Sequence, residues 1–155
     1  MNEIKKLKIE ADLAHLENIL MEQKCFTQMI EASERSALPS LLLALKIDSK
    51  ERERYLNLMF LDAETEDLNT QILQFYISFP YEVKNTKAVK DKIIELNPSV
   101  YPGAFYLTGN NLYYRYIHLS PEFEIIKDND FIELVDMVVG SMDMQYEFLE
   151  KVATS

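Results

Sequence analysis

Ile9, Leu13, Leu16 and Leu20 recur at i, i+4, i+7 and i+11 with Lys, Glu, Asp and His between them, so the chain opens on an amphipathic helix of about five turns. Over 25–32 the pattern turns ambiguous: Phe26, Gln28 and Ile30 share one side of an extended chain, whereas Phe26, Met29 and Ile30 would continue a helical stripe. A short edge strand is the reading favoured here, and 33–39 then forms a loop between Ser and Pro signals. Three apolar runs follow at 40–47, 54–62 and 70–79, each too short for a typical helix, joined by polar links at 48–53 and 63–69 that suit antiparallel hairpins. In the third run Leu73, Phe75, Ile77 and Phe79 alternate with Ile72, Gln74, Tyr76 and Ser78, which predicts one buried and one partly wet face.

Pro80 ends that run, and Val89, Ile93 and Leu96 mark a second helix over Thr86–Leu96. Residues 97–119, NPSVYPGAFYLTGNNLYYRYIHL, read as a β-hairpin turning at Gly109-Asn110-Asn111, with a positive φ expected at Gly109 and a crowded backbone at Gly103. Asp128 is the expected N-cap of a last long helix, whose Phe131, Val135, Val138, Met142, Gln145, Leu149 and Val152 keep a/d spacing. A second stripe of Ile132, Val139 and Tyr146 makes its apolar face wider than one partner needs, and Gly140 in the middle suggests close packing against another backbone. These residues (Phe131, Ile132, Val135, Val138, Val139, Met142 and Tyr146) are accordingly the candidate interface for a partner or a second copy.

The expected class is α+β, an antiparallel sheet flanked by helices in the order α-β-β-β-α-β-β-α, forming one domain over residues 1–155. Within that order LPSLLLALKID, YLNLMFLD, LNPSVYPGAFYLTGNNLYYRYIHL and FIELVDMVVGSMD, spread over roughly residues 38–143, resemble the YbjN family, which has the type III secretion chaperone-like fold. The resemblance implies helices over one twisted antiparallel sheet, commonly a homodimer, and a role in protein interaction or regulation. Its motifs, Pro102-Gly103 before a strand and Tyr114-Arg115 within one, are structural and mark no site.

Charge narrows the partners. With 16 basic and 26 acidic side chains the formal net charge is −10, which disfavours a nucleic-acid partner. The longest apolar run, 41–45, is far short of the roughly 20 residues a spanning helix needs. A single Cys25 and no leader-like start fit a reducing, cytoplasmic setting.

Catalytic chemistry finds little support. His15, His118 and Cys25 stand apart, without HExxH or CxxC spacing, so no metal is expected; three glycines provide no phosphate loop, so no cofactor is expected. The carboxylate pairs Glu122/Glu124, Asp128/Asp130 and Glu64/Glu66 read as solvated, because a catalytic pair needs one desolvated member. Arg115 is either a structural ion-pair residue or a ligand contact, and the tyrosines around it are either good strand formers or a pocket lining. Two functions compete. One is a non-enzymatic, chaperone-like homodimer capturing an apolar segment of a partner; the other is a small-molecule-binding protein or minor enzyme built on Tyr114, Arg115, Tyr116 and His118.

Overall fold

The computed structural model describes residues 3–62 and 69–155. Three long helices, α1 (Glu3–Glu22), α2 (Thr86–Leu96) and α3 (Asp128–Thr154), join six strands: β1 (Thr27–Ile30), β2 (Ser40–Ala44), β3 (Tyr55–Leu61), β4 (Thr70–Ser78), β5 (Ala104–Thr108) and β6 (Asn111–Pro121). The sheet is wholly antiparallel in the order β1-β2-β3-β4-β6-β5. The class is α+β as the patterning predicts. The ambiguous segment is the edge strand β1, which adds a fourth strand ahead of α2 and corrects the expected order. The acidic link and the Glu64/Glu66 pair fall at 63–68, outside the described residues.

Period-two burial builds the core. Leu41 and Leu43, Leu56, Leu58 and Phe60, Leu73, Phe75 and Ile77, Leu112 and Tyr114, and Phe105 all lie on one face of the sheet and are buried. Onto that face come Ile9, Leu13, Leu16, Ile19 and Leu20 of α1, Val89 and Ile93 of α2, and Phe131, Val135, Val138, Met142, Tyr146 and Leu149 of α3. The expectation of helices flanking the sheet is thus met on one side only: no helix lies on the opposite face among the described residues.

The turns are specified locally. Thr108 pairs with Asn111 around Gly109, whose φ of 61° is the left-handed geometry expected of it. A Cβ at Gly103 would meet the Arg115 carbonyl oxygen and, at 2.8 Å, the Tyr114 ring, so the crowding expected there is real. Gly140 departs from expectation: it is exposed on α3 and a Cβ there would meet open space, so no backbone packs against it. The α3 cap is also one residue earlier than expected, with Lys127 extended and Asp128 and Asp130 in the positive first turn.

The β2–β3 turn is clamped to the end of α3 by a charged network. Asp48 Oδ1 accepts from the backbone N–H groups of Lys50 and Arg52, both at 2.9 Å, and Oδ2 from Arg52 Nε and the Tyr146 hydroxyl, both at 2.7 Å. Glu150 receives Lys50 Nζ at 2.8 Å and Arg52 Nη2 at 2.7 Å. Arg54 reaches Asp143 and the Lys46 carbonyl while its guanidinium covers the Tyr146 ring at 4.5 Å. Every charge drawn out of water here has a partner, the condition under which buried ions can be retained.

Candidate functional site

The α3 residues expected at an interface are mostly core. Phe131, Val135, Val138, Met142 and Tyr146 are buried inside the single chain, and Ile132 and Val139 are half-buried against the same core. The reading of this stripe as a free surface is therefore corrected. Its width has another cause: α3 touches α1 and α2 as well as the sheet, so one helix must bury several directions at once. What α3 exposes is Met137, Met144 and Phe148, at i, i+7 and i+11.

The second candidate group does not assemble into one site. On β6, Tyr114, Tyr116 and His118 point to the core face, and Arg115 points to the other. Tyr114 is fully buried, with its hydroxyl accepting from the Gly103 N–H at 2.8 Å. Tyr116 packs on Phe75 and its hydroxyl lies 3.2 Å from His118 Nδ1; burial holds the His118 pKa below its ordinary value. Arg115 Nε donates to Gln74 at 2.7 Å, a structural contact within the sheet. One strand's alternation thus separates the cation from the two tyrosines and the histidine.

The open face of the sheet was not singled out by sequence, although its alternate positions could be read from the strand pattern. Leu42, Met59, Leu61, Ile72, Ile117 and Leu119 form an aliphatic strip across β2, β3, β4 and β6. Beside it Tyr76, Tyr113 and Tyr106 form an aromatic ladder, with centroids at 5.1 and 5.5 Å and the second pair stacked. Arg115 is the one charged side chain at the strand positions of this face, in a chain of which 27% is charged. Between β2 and β4 a hollow of about 480 Å³ is lined by Leu42, Tyr55, Asn57, Met59, Gln74, Tyr76 and Ser78, with the charged Glu53 and Arg54 at its end beside the β2–β3 turn.

The two sheet edges differ. At β5 the Asn97 side chain imitates a neighbouring strand: its Oδ1 accepts from the Phe105 N–H at 2.9 Å and its Nδ2 donates to the Phe105 carbonyl at 3.0 Å. With the Gly103 N–H taken by Tyr114, this edge is largely closed. At β1 the Ala44 N–H donates to the Phe26 carbonyl, so Phe26, Gln28 and Ile30 turn their backbone groups toward β2 and those of Thr27 and Met29 turn outward. Among the described residues nothing pairs with those outward groups. Beside them lies a cleft of about 610 Å³ whose walls include Glu10, Glu17, Met29 and Glu31 and no basic residue.

Among the described residues no three His, Cys, Asp or Glu side chains converge to hold a metal ion, and no helix is long and apolar enough to cross a membrane. Cys25 is half-buried, and burial and then the charge of Asp136 raise its thiol pKa, so the thiolate is disfavoured. No protein-family model matches the chain and no curated protein matches it.

Proposed function

We propose that the chain is a non-enzymatic, regulatory or chaperone-like protein-interaction module that takes up an extended, apolar and basic segment of a partner protein by strand addition at β1. The observation that carries this reading is the contrast between the edges. One is occupied by Asn97, while the other presents the Thr27 and Met29 backbone beside an acid-walled cleft. Strand addition draws affinity from main-chain hydrogen bonds and specificity from alternate side chains. Here the side of the segment turned toward α1 would set its cations against Glu10, Glu17 and Glu31, while its alternate apolar residues would continue the open face of the sheet beside Gln28 and Ile30. The resemblance of residues 38–143 to the YbjN family, with its role in protein interaction, supports the same reading, as does a cytoplasmic setting for a chain with one cysteine.

The test uses a synthetic eight-residue peptide alternating valine and lysine, with amide hydrogen exchange as readout. Binding should protect the Thr27 and Met29 amides and weaken as salt is raised, since the attraction is between exposed charges. Met29→Pro removes one outward donor while sparing the β2 ladder, because proline is tolerated at an edge, and should abolish binding; Thr27→Pro is the second variant should the first perturb folding. Protection elsewhere in the sheet, or unchanged binding by a folded proline variant, overturns the proposal.

A further inference from the structure

We infer that the open sheet face is covered by a second copy of this chain, the two sheets packing face to face about a two-fold axis. A two-layer domain normally buries the apolar side of its sheet once; this chain carries apolar and aromatic side chains on both sides, and its helices cover one. The uncovered side is large. Six strands at about 4.8 Å spacing and about 3.3 Å per residue give a face of roughly 24 by 25 Å, or about 600 Å² in projection and more in accessible area, against about 800 Å² per partner in a stable interface.

Charge selects the occupant. A partner for this face must be broad and apolar, with few charges, and the chain itself presents such a surface: charge enters it at Arg115 and at the Glu53 and Arg54 end of the hollow, and most of the net −10 lies elsewhere. Two-fold contact then sets Met59, Ile72 and Ile117 of one copy against the same strip of the other, a self-complementary arrangement that aligned sheets accept. Arg115 is already held by Gln74. The acidic groups outside the face repel one another across the pair, and salt screens that repulsion within about 8 Å at physiological ionic strength. Self-association should therefore strengthen with salt, the opposite of the response expected for a basic segment at β1.

Light scattering at micromolar concentration decides it. The parent protein should run at twice the 18.1 kDa chain mass, more completely at 150 mM than at 10 mM salt. Ile117→Lys should keep the parent's circular dichroism yet raise the dissociation constant by about 100-fold, the usual order for a charge placed in the centre of an apolar interface, and lower the melting temperature only as far as the lost association requires. Leu119→Lys, at a position 62% exposed in the single chain, is the variant to use should Ile117→Lys disturb the fold. Met144→Lys on the exposed side of α3 should leave the mass unchanged. A parent mass of 18.1 kDa throughout, or a folded Leu119→Lys that still pairs like the parent, overturns the inference. Loss of it by Met144→Lys alone would move the interface to α3 and overturn it equally. Peptide binding at β1 is unaffected by Ile117→Lys under either outcome, so the two proposals fail separately.

Discussion

The hydroxyl of Tyr146 donates to Asp48 Oδ2 at 2.7 Å across 98 residues of sequence, and both side chains are buried. This bond ties the β2–β3 turn to α3, and the ring that carries it packs on Phe79 and Tyr81 and beneath Arg54. Tyr146→Phe removes one of four donors to Asp48 and should cost about 1 to 2 kcal/mol in urea unfolding. Asp48→Ala leaves the Lys50 and Arg52 N–H groups, Arg52 Nε and the Tyr146 hydroxyl without their acceptor, although Arg52 keeps Glu150, and should cost more, about 3 to 5 kcal/mol. Tyr146→Asp should fail to fold, since it sets an unpaired charge in the core.

Acid should unfold the protein through the same network. Burial alone would raise the Asp48 pKa, but the Arg52 backbone N–H, the Tyr146 hydroxyl, the Arg52 guanidinium and the Lys50 N–H together hold it well below its ordinary 3.8. Arg52 and then Lys50 hold Glu150 below its ordinary 4.5 against the opposing effect of burial. A depressed carboxylate contributes stability that is present above its unfolded pKa and lost as pH falls toward the folded one. Urea midpoints should therefore hold from neutral pH to about 6.5 and fall most steeply below about 4, and Asp48→Asn should flatten that steep part. His118, held below its ordinary 6.5 by burial, adds a loss of the same sign that begins below that pH.

The three glycines should respond to substitution in three ways. Gly109→Val forces a β-branched residue to a φ of 61° and should cost about 1 to 3 kcal/mol. Gly103→Ala meets the Arg115 carbonyl and the Tyr114 ring, neither of which can move freely in the sheet, and should cost at least as much. Gly140→Ala meets nothing and gains helix propensity, so thermal melts should show it about 1 kcal/mol more stable than the parent.

Elements set by local chemistry were legible in the sequence. Leu73, Phe75 and Ile77 announced the buried face of β4, Val89 and Ile93 the inner side of α2, and Gly109 the hairpin turn, because period and backbone tolerance act over a few residues. β1 was harder: Phe26, Met29 and Ile30 satisfy both periods, and pairing with β2 decides between them. The direction faced by the broad α3 stripe was not legible, since it depends on α1 and α2 packing beside α3. Nor was the clamp around Asp48 and Arg52, which are four residues apart but reach Tyr146 and Glu150 only when residues 98 to 100 apart are brought together. The open face could have been found by reading the alternate strand residues as a set, where the scarcity of charge stands out against the rest of the chain.

The side-chain amide of Asn97 biases the valency of the sheet. With the Phe105 groups and the Gly103 N–H satisfied, β5 is the poorer template for a further strand, and the sheet resembles a monomer with unequal ends in polymer chemistry, the freer one at β1. Such an inequality disfavours edge-to-edge growth, because propagation into fibres needs two open edges of equal reach.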